Sequence, residues 1–283
     1  MLRIAGRVLL PLLLLANCGG AFAAGARPLV FGLFPNLSPR TLVATYQPMR
    51  DFLEAELGRP VELVTAANFD AFTRRMLAKE YDLMVAAPHL ARLGQLDAGY
   101  HLLAHYGQPI QAWVVVAADS GLRDTRQLAG KRVAIPDRLA IMSSLGVAML
   151  AKSGLQPELD YQMYEAKSHN NAALSVLNRQ ADAAVIGSIP FQLLAKEVQA
   201  QLRVIEQSKP IPSQYFAASG GLSSRERKQI LQALLRFAGT AGGKNFLERY
   251  GMLDIVAAKP DELKEMDAQA KQVRQWLMET AAP

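Results

Sequence analysis

The chain has 283 residues, 51% of them hydrophobic and 20% charged, with 31 Lys and Arg against 25 Asp and Glu for a formal charge of +6. High aliphatic content without a low-complexity tract excludes a disordered polymer. The basic residues are scattered, with no basic and aromatic stripe to receive nucleic acid. The single cysteine, Cys18, excludes a disulfide framework within the chain.

Chain order begins with a compartment signal. Arg3 and Arg7 precede the apolar run "VLLPLLLLA", and "AFA" at 21–23 offers small residues of the kind a signal peptidase reads. This order predicts a secretory signal over 1–23, a mature start near Ala24 and a periplasmic protein. The run is too short to span a bilayer, and no later segment approaches the roughly 20 apolar residues that requires. Leu15 and Ala16 precede Cys18 as in a lipid-acceptor site, but Asn17 stands where a small residue is usual, so cleavage after Ala23 is the preferred reading. About 260 residues remain, enough for one large domain or two modest lobes.

From there, strand-like and helix-like segments alternate. "LVFGLF" (29–34) reads as a strand, followed by a helix through "TLVATYQPMRDFLEAELG" that stops at Gly58, with Pro48 an awkward interior residue. Next come the strand "VELVTA", a helix around "FDAFTRRMLAK", the strand "LMVAA", a helix from Pro88, and the strands "YHLLAHYG" and "QAWVVVAA". After "AADSGL" the rhythm restarts. A short helix at "TRQLAG" precedes the strand "KRVAIP", the helix "SSLGVAMLAKSG", the strand "YQMYEA", a helix through "NAALSVLNRQ" and the strand "AAVIG". "RVIEQS" and "QYFAAS" read as strands. Helices then cover 223–238, 242–250 and roughly 261–280, the last with Leu263, Met266, Ala270, Val273 and Leu277 on one face.

Two α/β units of similar grammar, the second inserted into the first, predict two lobes that close by a hinge. The expected division is lobe 1 over 24–117 and 207–260, lobe 2 over 118–206, and a C-terminal helix over 261–283 packing on both. The expected crossings lie near 116–120 and 204–212.

Several segments together resemble the phosphonate-binding family of periplasmic solute-binding proteins that feed ABC importers. They are "YQPMRDFLEAELGRPVEL" (46–63), "FDAFTRRMLAKEYDLMVAAPHLA" (69–91), "LAGKRVAIPD" (128–137), "MSSLGVAML" (142–150) and "SHNNAALSVLNRQADAAVIG" (168–187). No one of them is diagnostic, and their order and spacing carry the likeness. The resemblance implies a type II periplasmic-binding fold with two crossover strands, and an oxyanion held in the cleft. Its roles fall on Ser143 and Ser144 as a hydroxylated helix start, on His169 opening the next helix with Asn170 beside it, on Tyr46 closing over the ligand, and on His89 where the family usually has an aromatic residue after Pro88.

Each candidate also has a plainer reading. Unpaired amides at a helix start carry partial positive charge and suit an anion, yet Ser143 is equally suited to capping that helix. His169 reads either as a donor to an oxyanion or as an exposed first-turn histidine, with Ser168 as the cap. Tyr46 on an amphipathic helix reads as cleft or as core. Where the family's aminophosphonate binders carry a carboxylate after the strand, this chain has Gly187, Ser188 and Ile189. A buried ammonium there would lack a partner, so the resemblance favours phosphate, phosphite or a simple phosphonate.

The expected function is therefore capture of a small anionic ligand for an inner-membrane ABC permease, by a monomer without cofactor, metal or catalytic residues. Handing the closed form to a membrane sensor kinase is the neighbouring alternative. A serine hydrolase built on Ser143 or Ser144 with His169, and Asp137 or Asp182 to orient the base, is the alternative from another class, but no G-x-S-x-G elbow is present. His101 and His105 have a ligand-like spacing. On the strand "YHLLAHYG" they share one face and read as a lobe-edge pair rather than a metal site.

Overall fold

The computed structural model describes residues 27–280. The signal segment and Cys18 lie outside the described residues. Strands β1 (Leu29–Leu33), β2 (Val61–Thr65), β3 (Leu83–Ala86) and β4 (His101–Tyr106) alternate with helices α1 (Pro39–Leu57), α2 (Phe69–Leu77) and α3 (Pro88–Leu93). Helix α1 starts where Ser38 Oγ accepts from the Thr41 amide and stops at Gly58, whose φ of 61° suits glycine. Pro48 stands inside it.

The second unit runs through β5 (Ala112–Ala117), β6 (Arg132–Ile135), α4 (Ile141–Lys152), β7 (Gln162–Glu165), α5 (His169–Leu177), β8 (Ala183–Gly187), α6 (Ser188–Gln192), α7 (Lys196–Ala200) and β9 (Leu202–Gln207). The chain then returns with β10 (Tyr215–Ala218), α8 (Ser224–Gly239), α9 (Ala241–Tyr250), β11 (Ile255–Ala257) and α10 (Asp267–Glu279). The short elements α6, α7 and β11 carry too few periodic residues to announce themselves in the sequence. Helix α10 begins later than 261, after a 3-10 turn at Lys264–Met266.

The strands form two sheets, in the orders β11-β4-β10-β3-β1-β2 and β7-β6-β8-β5-β9. In each, three parallel strands joined by helices lie side by side, β2-β1-β3 in one and β7-β6-β8 in the other. In each, an antiparallel strand follows, β10 on β3 and β5 on β8. Mixed α/β architecture in two lobes is thus the fold.

One boundary differs from the sequence reading. Strand β5 pairs with β8 and β9, so Ala112–Ala117 belongs to the second lobe and not to the first. Its valine run is buried, which suits an inner strand of that sheet. "AADSGL" is a turn within the second lobe, closed by Ser120 N–H donating to Ala117 O. The chain changes sheets over 107–111 and 208–214 instead. There Ile110 and Ile211 exchange backbone hydrogen bonds of 2.8 and 2.9 Å, an arrangement suited to a two-strand hinge.

The lobes are closed on one another. One apolar cluster runs from Phe72, Met84 and Leu90 of the first lobe through Leu139, Ile141 and Met142 to Val114 and Val133 of the second. Helix α10 joins it through Ala270, Val273 and Leu277, the face its 3.6-residue spacing marks out. Burying a large aliphatic side chain contributes roughly 1.5–3 kcal/mol, so Val273 and Leu277 are the main apolar anchors of the helix. Ion pairs fix α10 to the first lobe, Arg92 to Asp267 at 2.6 Å and Arg274 to Asp97 at 2.6 Å. Helix α4 lies against β5 and β8. A Cβ on Gly146 would stand 2.5 Å from Val185 Cγ2, so glycine is what permits that approach.

Candidate ligand-binding site

The carboxyl ends of β3 and β6 face one another across the lobes, and the turns that follow them build the site. After β3, Pro88 fixes the first helical residue of α3 and His89 follows it, 1% exposed. His89 Nε2 lies 2.8 Å from the carbonyl oxygen of Leu139, on the β6–α4 turn of the other lobe. A carbonyl only accepts, so Nε2 carries the proton. Burial pushes the imidazole pKa down to about 4, so the ring is neutral at pH 7 and Nδ1 is a bare lone pair. Among the described residues Nδ1 has no partner.

The β6–α4 turn is shaped by Asp137. Its carboxylate accepts from the Leu139 amide at 2.8 Å, and its carbonyl accepts from Ser143 Oγ at 2.7 Å and from the Ala140 amide at 3.0 Å. Burial holds the Asp137 carboxyl above its ordinary value, with the Leu139 amide opposing. The cap position of α4 is Ala140, which supplies no side-chain acceptor. Ser143 is therefore neither cap nor free donor: its hydroxyl braces the turn. Ser144 Oγ donates to Gln272 Oε1 of α10 at 3.2 Å. Each hydroxyl thus meets an oxygen acceptor rather than an imidazole.

A cavity of about 140 Å³ lies where α3, α4 and α10 meet. A water needs only about 10–15 Å³ of such volume, so a small polyatomic solute fits. His89, Ser143 and Ser144 are in its wall, with Arg138, Gln269 and Gln272 as further polar residues and Val147, Met163 and Trp276 among the apolar ones. Arg138 keeps 47% of its side chain exposed, its nearest carboxylates being Glu165 at 3.7 Å and Glu158 at 3.8 Å. Gln269 Oε1 is buried without a partner. The wall can therefore offer a guanidinium and two carboxamides to a ligand.

The family model described as "ABC transporter, phosphonate, periplasmic substrate-binding protein" matches residues 31–263. The chain belongs to this family. Solved structures of similar fold include a binding protein component of an ABC phosphonate transporter, PA3383 of Pseudomonas aeruginosa, with TM-score 0.75, 18% identity, 90% of this chain covered and 97% of that one. PhnD1 of Prochlorococcus marinus in complex with methylphosphonate gives TM-score 0.79 at 14% identity, covering 87% and 98% of the two chains. XAC2383 of Xanthomonas citri, bound to chloride ion, gives 0.74 at 18%, covering 88% and 99%. A phosphonate-family periplasmic binding protein thus carries the two-lobed fold described above.

In this family member the remaining expected residues stand away from the cavity. Tyr46 is fully buried, its hydroxyl 2.9 Å from that of Tyr106 and its ring edge-on to Phe31, Phe246 and Tyr250. The cause is α1, whose Leu42, Tyr46, Met49 and Leu53 all turn into the core, where the helix packs with α8 and α9. Tyr46 is a core residue, and that correction removes it from the cleft. His169 opens α5, and its Nδ1 accepts from the Gly187 amide at 3.2 Å, which leaves the proton on Nε2. Burial pushes its pKa down to about 4. Ser168 caps α5 by accepting from Asn171 N–H at 3.1 Å, and Asn170 is exposed. His169 and Asn170 are not in the wall of the cavity.

Sequence reasoning missed Arg138, Gln269 and Gln272. Arg138 sits in "PDRLA", one residue past the Asp that shapes the turn, and could have been found by asking which side chain that turn presents. The two glutamines flank the apolar stripe of α10, and only the docking of α10 on α3 brings them near α4. Among the described residues no helix is long and apolar enough to cross a membrane.

Proposed function

We propose that this protein captures a small phosphonate-like oxyanion in the cavity between α3, α4 and α10 and delivers it, in the closed form, to the permease of an ABC importer. The observation that carries the reading is the His89 to Leu139 hydrogen bond across the lobes, at the edge of a cavity that also holds the start of α4 and Arg138. Closure and ligand capture then share residues, so a ligand that fits the closed cavity shifts the lobes toward it. Arg138 supplies a guanidinium suited to phosphonyl oxygens. Ser143 contributes by holding the turn, and Ser144 through its link to Gln272. His169 and Asn170 remain candidates for contacts made only after a change in lobe angle. The 1–23 segment, read as a cleaved signal, delivers the chain to the periplasm, where it acts as a monomer and without cofactor.

Calorimetry on protein purified from the periplasm tests the reading with methylphosphonate, phosphite, phosphate, methanesulfonate and acetate. Micromolar or tighter binding of one phosphorus oxyanion, weakened by Arg138→Ala, is the expected result. Binding of none of them, or equal binding of acetate, overturns it.

A further inference from the structure

The wall of the cavity changes from polar to apolar over one helical turn. Ser144 and Gln272 join α4 to α10 by a hydrogen bond of 3.2 Å. Val147 follows three residues after Ser144, and Trp276 four after Gln272, each on its helix beside the polar residue and each in the wall. At about 1.5 Å of rise per residue, the step is roughly 4.5–6 Å on both helices. Strand β7 repeats it. Met163, also in the wall, shares a strand face with Glu165 about 6.6 Å away along the chain, and Glu165 stands 3.7 Å from Arg138. Val147, Met163 and Trp276 are half-buried, so each keeps accessible surface where it lines the cavity.

Three elements thus make the same step over the length of a small molecule with a charged head and a carbon tail. Resting on the function proposed above, we infer that the cavity selects an oxyanion bearing a short apolar substituent, and that Trp276, Met163 and Val147 set this preference. With the head at Arg138 and Gln272, a tail of one to three carbons covers the apolar side. Phosphate would turn a fourth oxygen toward Met163 and Val147, which have no donor to replace its lost water. An ammonium at the end of the tail would meet the same side chains and lose its hydration likewise. The tail contact also spans the lobes. Trp276 belongs to α10, which ion pairs tie to the first lobe, whereas Met163 and Val147 belong to the second. A tail held between them binds the closed form better than the open one and so favours closure.

Calorimetry on protein purified from the periplasm tests this with phosphate, phosphite, methylphosphonate, ethylphosphonate, propylphosphonate and 2-aminoethylphosphonate. Ethylphosphonate should bind about fourfold more tightly than methylphosphonate, and about tenfold or more tightly than phosphate. Propylphosphonate should exceed 2-aminoethylphosphonate, whose tail has the same length, by about tenfold or more. Trp276→Ala should lower the ratio of ethylphosphonate to phosphate affinity by about threefold or more while phosphate affinity stays within about twofold. Where phosphate binds too weakly to measure, phosphite serves as the reference. Met163→Ala, on the other lobe, should lower the same ratio, and it carries the test if Trp276→Ala fails to fold. A merely structural role would weaken every ligand alike. Phosphate binding as tightly as ethylphosphonate, 2-aminoethylphosphonate equal to propylphosphonate, or an unchanged ratio in the variants overturns the inference and leaves oxyanion capture standing. No binding of any phosphorus oxyanion, with or without a tail, overturns the capture reading itself.

Discussion

His89 of α3 and Leu139 of the β6–α4 turn lie 50 residues apart and on opposite lobes, yet they share a hydrogen bond of 2.8 Å. The bond survives protonation, since the imidazolium also donates to a carbonyl, but burial disfavours the charged ring, which makes lobe closure sensitive to acid. An exposed histidine titrates near 6.5, and burial brings His89 down to about 4.

The sign follows from the depressed value. Neutral His89 is favoured in the closed fold, so its contribution is fully present above about pH 6.5 and is lost as pH falls toward 4. A displacement of that size is worth on the order of 3 kcal/mol for a group this buried. His169, also brought down to about 4, adds in the same window. Thermal unfolding midpoints should therefore decline between about pH 6.5 and pH 4.5, before the carboxylates titrate. His89→Gln should flatten part of the slope and leave the His169 part. A midpoint flat through that range in the unmodified protein would contradict the lowered titration of both rings.

Tyr46→Phe separates core from cleft. The substitution removes the hydroxyl 2.9 Å from Tyr106 and little else. Loss of that buried bond should cost roughly 0.5–1.5 kcal/mol of stability, read as a lower urea midpoint. Ligand affinity should stay within about twofold of the parent, because the ring is on the face of the sheet covered by α1, α8 and α9. A large affinity loss at unchanged stability would return Tyr46 to the site.

Gly146→Ala tests how tightly α4 is seated. The new Cβ would meet Val185 Cγ2 at 2.5 Å and Cγ1 at 2.7 Å, and a buried valine has few rotamers in which to yield. Overpacking of this kind costs about 1–3 kcal/mol. Pairing the change with Val185→Ala should recover part of the loss, since the two positions share one volume. Equal loss in the single and double variants would place the strain elsewhere.

Much of this fold was legible because its grammar is local. The strands around Phe31, Val85 and Val133 are short apolar runs, and α1 and α10 keep a 3.6-residue stripe, so pattern and structure coincide. The lobe boundary misled because "AADSGL" has the composition of a linker while serving as a turn. Pairing partners, which decide the sheet of Ala112–Ala117, are not a local property. The site was half legible. His89, Ser143 and Ser144 do meet in one wall, but hydroxyl direction depends on the nearest acceptor: Asp137 O for Ser143 and Gln272 for Ser144. Tyr46 failed for a similar reason, because the face a helix buries is set by what packs on it.

Ser144 and Arg138 divide the two accounts of the anion site most sharply. A direct hydroxyl bond from Ser144 to a charged oxygen would make Ser144→Ala cost roughly 1.5–3 kcal/mol of binding. With the hydroxyl donated to Gln272, the same change removes a partly exposed link between α4 and α10, and the cost should stay below about 1 kcal/mol. Arg138→Ala removes the guanidinium in the wall and should weaken phosphonate binding by roughly 1.5–3 kcal/mol, about 10- to 150-fold. Arg138→Lys, which keeps charge but not the planar fork, should fall between. Calorimetric dissociation constants for the three variants decide the matter. A larger loss for Ser144→Ala than for Arg138→Ala would mean that the serine, and not the arginine, meets the ligand.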